Sequence, residues 1–335
     1  MKRMILGLDI GGANLKAATA DGRALTVPFA LWKQPERLPV ALAELVAHFP
    51  QTAELAVTMT GELCDCYETK RQGVNAILDA VRDTAADRPV RVWSVDGEFL
   101  PLEDSRANSL KVAASNWHAL ATFAGRFAPH HGGLLIDIGS TTTDIIPLNE
   151  GTPYTLGRDD QSRMANCELV YAGVRRTPVA AVYQDRVASE LFATTRDVYI
   201  VLGLLPEKPN DTDTADGRAA TFDFALARLA RMLGADRDMM TDDEIIHFAT
   251  KVHTALMVRL KSAATQAYYG AKSPPELRTV IVSGEGEFLA RRIFETSFSG
   301  APITRVVALN DELGPVISAC APAYALAVLA MESPS

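Results

Sequence analysis

The chain has 335 residues and a formal net charge of −8, with 48% hydrophobic and 22% charged residues. This length favours two domains, and the composition excludes a fibrous or disordered chain. An acidic protein repels the nucleic-acid backbone, so nucleic acid is excluded as a general partner while a local phosphate site is still allowed. Four cysteines, no signal-like region and no membrane-length apolar run predict a cytoplasmic protein without a membrane partner.

The first half of the chain alternates between apolar runs and segments of helical spacing. The runs predict strands at residues 4–10, 55–59 and 90–95. Apolar residues at helical spacing predict helices at residues 38–49, around 74–81 and over most of 105–127.

The second half repeats this alternation. Predicted strands lie at residues 134–138, 142–148, 198–202, 279–282 and 303–308, and predicted helices at 221–233, 242–267, 287–298 and 315–331. Turn-forming residues predict a loop at 207–217. Alternating strands and helices favour largely parallel sheets covered by helices. We expect one lobe at 1–130 and a second at 131–314, with the helix at 315–331 packing back on the first.

A short motif occurs once in each half, directly after a predicted strand. The first copy starts at Asp9 with the sequence DIGG, and the second starts at Asp137 with DIGS. Glycines and hydroxyl side chains let a backbone turn approach phosphate closely, and two opposed aspartates suit Mg²⁺. We therefore predict Asp9 and Asp137 as metal ligands. The predicted phosphate-binding residues are Gly11, Gly12, Asn14, Lys16, Gly139, Ser140, Thr141 and Thr142.

A third glycine turn, with Gly284 and Gly286, joins a predicted strand to a predicted helix. These glycines are candidate phosphate or nucleotide contacts. Glu285 places negative charge beside them, so a plain strand-to-helix turn is an equal alternative.

A dense polar cluster follows the predicted strand at 55–59. Glu62 and Asp65 are candidate general bases, and Lys70 is a candidate anion contact, because the carboxyl end of a strand is where α/β sheets place ligands. A solvated loop is the alternative. Zinc at Cys64 and Cys66 is disfavoured by their short spacing, and the roles of both thiols and of Cys167 are left open.

The three turns, in this order, resemble those of the sugar kinase, heat-shock protein and actin superfamily. That resemblance implies two actin-like, ribonuclease H-like α/β domains with a cleft between them. Residues 168–179, ELVYAGVRRTPV, resemble a stretch of the hydantoinase A/oxoprolinase family, and residues 58–65 are similarly specific. Within that family the chain looks closest to proteins of methanofuran- and tetrahydromethanopterin-linked one-carbon metabolism.

The resemblance implies a particular reaction and its small-molecule partners. An aminomethylfuran-methyl diphosphate would be joined to the phenol of γ-glutamyltyramine, giving an aryl ether and diphosphate with Mg²⁺ as cofactor. Arg175 and Arg176 are candidate contacts for diphosphate or a carboxylate, with structural ion pairs as the alternative. Asp216, in a segment that matches the family, is a candidate substrate-lining residue.

Two other functions fit the same residues. One is an ATP-dependent kinase or amidohydrolase, with ATP or ADP bound near Gly284. The other is a non-catalytic nucleotide sensor or scaffold. The sequence leaves open the acceptor, the general base and whether the chain forms a homodimer.

Overall fold

The computed structural model describes residues 4–270, 274–298 and 300–333, so the remaining residues of the two predicted lobes lie outside the described ranges. The strands are β1 (Ile5–Ile10), β2 (Asn14–Thr19), β3 (Ala24–Pro28), β4 (Glu54–Met59), β5 (Val90–Trp93), β6 (Phe99–Pro101), β7 (Gly132–Ile138), β8 (Thr143–Asn149), β9 (Thr152–Pro153), β10 (Leu169–Val170), β11 (Leu277–Ser283) and β12 (Arg305–Ala308). The α-helices are α1 (Leu38–Ala47), α2 (Lys70–Ala85), α3 (Leu102–Ala107), α4 (Ser109–Val112), α5 (Asn116–Ala124), α6 (Asp160–Ala165), α7 (Val179–Val182), α8 (Thr195–Val201), α9 (Phe222–Met232), α10 (Asp242–Tyr269), α11 (Glu287–Ser297), α12 (Leu309–Leu313), α13 (Pro315–Ser318) and α14 (Ala321–Glu332).

The two sheets share one plan. The first has the strand order β3-β2-β1-β4-β5-β6, and the second has the order β10-β8-β7-β11-β12. In the first sheet β1 pairs antiparallel with β2 and parallel with β4. In the second sheet β7 pairs antiparallel with β8 and parallel with β11. The repeated motif therefore marks a repeated fold unit, with a hairpin and a parallel strand around each central strand.

The prediction of largely parallel sheets is wrong. Only β1, β4 and β5, and β7, β11 and β12, run parallel, whereas the pairs β1–β2, β2–β3 and β7–β8 are antiparallel. The reason is the motif itself. A turn of a few residues can join only antiparallel neighbours, because a parallel connection needs a long crossover.

Different helices pack against the two faces of the first sheet. Leu6 and Leu8 of β1 pack with Leu42 of α1 and Ile77 of α2. The alternate residue Gly7 faces α14, where an added Cβ would lie 1.9 Å from the carbonyl oxygen of Ala323. Helix α14 therefore packs against the first sheet, and glycine at this position permits the close approach.

The two lobes share a buried apolar layer. Trp117 and Leu120 of α5 pack with Ile146 of β8 and Ile281 of β11. Ala119 of α5 packs with residues of α14 and β4 in a neighbouring cluster. Helices α5 and α14 thus lie between the sheets and hold one lobe against the other.

Three predicted elements differ from the structure. The predicted strand at 198–202 belongs to helix α8, which is buried along its whole length. A buried helix has no polar face, so its apolar run cannot be told from a strand by periodicity. The predicted helix at 105–127 is divided into α3, α4 and α5, and the helix at 315–331 into α13 and α14. Among the described residues, none of the helices combines the length and apolarity that a bilayer crossing requires.

Candidate active site

The two aspartate motifs form similar turns. The Gly11 N–H donates to the Asn14 carbonyl oxygen at 3.0 Å, and the Gly139 N–H donates to the Thr142 carbonyl oxygen at 2.9 Å. Both hydrogen bonds close a β-hairpin just after the aspartate-bearing strand. The amides of Gly11 and Gly139 are thus used within the protein, and ligand binding falls to the residues at the tips of the turns.

The amides at those tips are free to bind an anion. Within the described residues, the N–H groups of Gly12, Ala13, Ser140 and Thr141 donate to no protein acceptor. Consecutive backbone N–H groups of this kind form concave anion sites. One such turn lies in each lobe, directly after the strand that carries its aspartate.

Charged groups of the first turn act on the aspartate of the second. Burial raises the pKa of Asp9, and the Lys16 ammonium partly opposes this effect. Burial and the Asp144 carboxylate raise the pKa of Asp137 to about 6, with a further contribution from Asp9, while Lys16 lowers it. Because Asp9 and Lys16 of the first lobe both act on Asp137 of the second, the two turns face the same space.

This space suits a divalent cation. The Asp9 Oδ1 atom is buried without a hydrogen-bond partner among the described residues. Both Asp9 and Asp137 have raised pKa values that a nearby positive charge would lower. Oxygen ligands are those that Mg²⁺ prefers, and it keeps several waters. The two aspartates therefore fit a magnesium ion that completes its coordination with water and ligand oxygens.

Lys16 is a candidate contact for a bound anion. It pairs in register with Asp9 on the β1–β2 hairpin. Within the described residues it forms no ion pair with a carboxylate. Its charge is therefore available to a bound phosphoryl group.

The third glycine turn supports the second aspartate turn. Gly284 has φ +85°, and a Cβ there would lie 2.4 Å from the Ile138 carbonyl oxygen and 2.6 Å from Asp137 Oδ1. The Gly286 N–H donates to the Ile138 carbonyl oxygen at 2.8 Å. These contacts are packing contacts of the Asp137 turn, and they occupy the N–H of Gly286, one of the two glycines predicted to contact a ligand.

Glu62 is a buried carboxyl group just after β4. Its side chain is about 1% exposed, and its Oε2 atom has no hydrogen-bond partner among the described residues. Burial raises its pKa to about 7, although Lys70 lowers it. Gly73 of α2 packs on its backbone, where a Cβ would lie 2.1 Å from the Glu62 carbonyl oxygen. A carboxyl group that titrates near neutral pH suits a general base.

Lys70 joins the two lobes. Its Nζ atom lies 2.7 Å from Asp160 Oδ2 at the start of α6 and 3.9 Å from Glu62 Oε1. Lys70 begins α2 in the first lobe, whereas Asp160 belongs to the second. The ammonium is thus held by two carboxylates, a placement that differs from the predicted contact with a substrate anion.

Tyr171 lies beside this group of charges. Its side chain is 46% exposed. Burial of the hydroxyl raises its pKa, and the negative charges of Asp160 and Glu62 raise it further. The exposed ring therefore presents an aromatic surface next to the candidate base.

The two candidate arginines have different surroundings. Arg175 Nε donates to Glu285 Oε1 at 2.7 Å, and the same guanidinium lies 4.0 Å from Asp211. Arg175 is therefore held in structural ion pairs. Arg176 lies over the Trp32 ring of the first lobe, 5.0 Å from its centre, and forms no ion pair within the described residues. Only Arg176 of the two has charge available for a ligand.

Asp216 lies in an arginine cluster. Its carboxylate accepts hydrogen bonds from Arg218, Arg228 and Arg231. Burial would raise its pKa, but the hydrogen bonds from Arg218 and Arg228 outweigh burial and hold the pKa well below its usual range. Asp216 thus forms ion pairs within its own loop and with α9. Among the described residues, no contact joins it to the aspartate turns.

The cysteines and Asp65 lie on the loop after β4. Burial raises the pKa of Cys64 to about 11, so this thiol stays protonated at neutral pH. Cys66 Sγ donates to the Leu31 carbonyl oxygen at 3.8 Å. The described part of the chain contains no group of three or more histidine, cysteine, aspartate or glutamate side chains placed to hold a metal. Asp65 is exposed, whereas Glu62 is buried at the same loop.

Sequence reasoning missed three residues of this site. They are Asp160, Tyr171 and Trp32, which lie beside Lys70, Glu62 and Arg176 respectively. Tyr171 lies within the segment 168–179 that carried the family resemblance, so that segment could have pointed to it. Asp160 and Trp32 have no such signal, because their partners belong to the other lobe.

Comparison with known proteins gives consistent results. The hydantoinase/oxoprolinase family profile matches residues 54–332. A protein of Methanocaldococcus jannaschii, named (4-{4-[2-(gamma-L-glutamylamino)ethyl]phenoxymethyl}furan-2-yl)methanamine synthase, is 35% identical over 341 residues, covering 98% of each chain. A Methanococcus vannielii protein of the same name is 28% identical over 206 residues, covering 58% of this chain and 89% of its own length.

A solved structure shares the fold. The nucleotide-free structure of acetone carboxylase, an enzyme of ATP-dependent acetone carboxylation, matches with a TM-score of 0.55 and 10% identity, covering 98% of this chain and 70% of that chain. The two repeated sheets and the paired aspartate turns define a two-lobed class of α/β protein, and the chain shares its fold with that structure. Within that class, the chain belongs to the hydantoinase/oxoprolinase family.

Proposed function

We propose that this chain is a transferase that forms the furanylmethyl aryl ether of a methanofuran-type cofactor. The observation that carries this proposal is the full-length relationship, at 35% identity, to a synthase whose name describes a phenoxymethylfuran amine. The new bond in that product joins a phenol oxygen to a furan-bound methylene carbon. An aminomethylfuran-methyl diphosphate and γ-glutamyltyramine are the corresponding substrates.

The reaction balances without any redox partner. The phenol oxygen forms a bond to the methylene carbon, the carbon–oxygen bond to diphosphate breaks, and the phenol proton passes to a base. The electron-rich furan ring stabilises positive charge on the methylene carbon. Negative charge develops on the departing diphosphate, and this is where stabilisation by the protein lowers the barrier.

Groups from both lobes would stabilise the negative charge of the departing diphosphate. The free amides of the two turns donate hydrogen bonds to the two phosphoryl groups. Lys16 from the first lobe and Arg176 from the second add positive charge. Asp9 and Asp137 would hold Mg²⁺, which would neutralise part of the diphosphate charge. The diphosphate then lies between the lobes.

Glu62 accepts the phenol proton. Its pKa of about 7 leaves a substantial fraction ionised at neutral pH. The neighbouring Tyr171 ring offers an aromatic surface against which a phenol or furan ring packs. Base and aromatic surface together place the acceptor on the Lys70 side of the cleft.

The direct test is a turnover assay with the purified protein. Incubation with the furan diphosphate, γ-glutamyltyramine and Mg²⁺ releases diphosphate in step with the ether, which mass spectrometry detects. Omitting the phenol provides the control for simple hydrolysis. No diphosphate release from the pair of substrates refutes the proposal, and ADP formation from added ATP with γ-glutamyltyramine favours the kinase or amidohydrolase alternative.

A further inference from the structure

The bridge between the lobes contains a carboxylate that no part of the proposed reaction uses. Asp160 Oδ2 holds Lys70 Nζ at 2.7 Å, and the same ammonium lies 3.9 Å from Glu62 Oε1. Glu62 is buried, while the Lys70 and Asp160 side chains are 23% and 16% exposed. A chain of three charges therefore runs from inside the first lobe to the second.

We propose that Asp160 is a positioning residue, which draws Lys70 away from a close ion pair with Glu62, so that Glu62 is a competent proton acceptor only when the lobes are together. The proposal rests on the proposed role of Glu62 as base. Asp160 itself touches no reacting atom and acts through Lys70.

The geometry explains why a second carboxylate is needed. If Lys70 were free to approach Glu62 directly, a close buried ion pair would stabilise the ionised carboxylate and make it a poor proton acceptor. Asp160 forms the short contact with Lys70, so that Glu62 has only the longer contact with the same ammonium. The Glu62 Oε2 atom, which has no partner among the described residues, then stays available to the phenol proton.

The groups around Glu62 come from several elements. Lys70 belongs to α2 and Asp160 to α6, and the Tyr171 hydroxyl and the Cys64 thiol lie near enough for the Glu62 charge to raise their pKa values. Of these four, only Lys70 is positively charged, and Asp160 is the other acid. Lys70 therefore favours the ionised form of Glu62, whereas Asp160 disfavours it.

The variants Asp160→Asn and Lys70→Met separate this role from a purely structural one. Removing the negative charge of Asp160 frees Lys70 for Glu62 and moves the acid limb of the kcat/KM profile for diphosphate release to lower pH, by about one pH unit. Lys70→Met moves the same limb to higher pH, and Lys70→Arg restores it. In Asp160→Asn, kcat on the plateau above the acid limb falls about threefold, because the base is weaker.

Asp96→Asn is the matched control. Asp96 also pairs across the lobes, with Arg158, and lies 2.8 Å from Lys111, but it has no contact with Glu62 among the described residues. Its removal weakens an interlobe ion pair and leaves the pH profile of the wild type. A shift of the same size in Asp96→Asn overturns the proposal, because lobe contact in general would then set the profile.

A titration that needs no turnover keeps this inference separate from the proposed function. The Glu62 carboxyl is followed by ¹³C NMR on glutamate-labelled protein and assigned with Glu62→Gln. A lower pKa in Asp160→Asn and a higher pKa in Lys70→Met support the positioning role even if the wild type forms no ether. Unchanged Glu62 titration in both variants overturns it, whatever the outcome of the turnover assay, and Lys70→Met decides alone if Asp160→Asn does not fold.

Discussion

Replacing Glu62 by glutamine separates activity from stability in this protein. Burial raises the pKa of Glu62 from 4.5 to about 7. At 1.36 kcal/mol for each pH unit, the buried ionised carboxylate costs roughly 3 kcal/mol of folding free energy. Glutamine has nearly the same shape and never ionises. Glu62→Gln therefore loses activity and gains stability at alkaline pH.

The direction of this pH dependence follows from whether the folded or the unfolded protein binds the Glu62 proton more tightly. The folded protein retains the Glu62 proton up to about pH 7, whereas the unfolded chain releases it near pH 4.5. The stabilising contribution of the neutral carboxyl is fully present below pH 4.5 and is lost as the pH rises through 7. The advantage of Glu62→Gln over wild type is thus small at pH 5 and reaches roughly 3 kcal/mol at pH 8.5.

The assay combines denaturant unfolding at both pH values with the turnover rate. We expect a 10²- to 10⁴-fold loss of kcat, the range for removal of a general base. Glu68→Gln makes the same chemical change at an exposed position of the same loop, and it leaves both quantities as in the wild type. A stability difference that is equal at pH 5 and pH 8.5 refutes the reasoning about burial, and a retained kcat refutes the assignment of the base.

Three further variants test the remaining parts of the cleft. Lys16→Met weakens diphosphate binding about 10- to 100-fold in calorimetry, the cost of one charge-assisted hydrogen bond, while exposed Lys33→Met does not; equal affinities contradict the role of Lys16. Gly284→Ala costs more stability than Gly234→Ala, since both alanines carry roughly 1–2 kcal/mol of left-handed strain but only the first meets Ile138 and Asp137; equal losses in thermal unfolding contradict the packing argument. Gly73→Ala destabilises the fold, although alanine normally favours a helix by about 1 kcal/mol, because its Cβ meets the Glu62 carbonyl oxygen; a gain in melting temperature is the opposite result.

The repeated motif carried most of what the sequence could predict. Two strands ending in Asp-Ile-Gly predicted two similar lobes, and the structure has two sheets of related order. The same motif, interpreted as a hairpin turn, would also have predicted the antiparallel pairs β1–β2 and β7–β8. The alternation of strands and helices instead led to the prediction of largely parallel sheets. Helix α8 was misassigned because every one of its residues is buried.

The candidate site was predictable only within each lobe. Asp9 with Lys16, and Glu62 with its loop, are close in sequence or join adjacent strands. Lys70 and Asp160 are 90 residues apart and meet only because the lobes pack as they do. Local periodicity contains no information about that packing, so neither the bridge nor the Arg176–Trp32 contact could be inferred.

The most direct test of the account is a crystal structure with diphosphate and Mn²⁺ in place of Mg²⁺. The account predicts an anomalous manganese peak at the carboxylates of Asp9 and Asp137, with one phosphoryl group at the amides of Gly12 and Ala13 and the other at those of Ser140 and Thr141. Diphosphate bound at a single lobe, or manganese remote from both aspartates, contradicts the central claim that the cleft holds a metal-bound diphosphate.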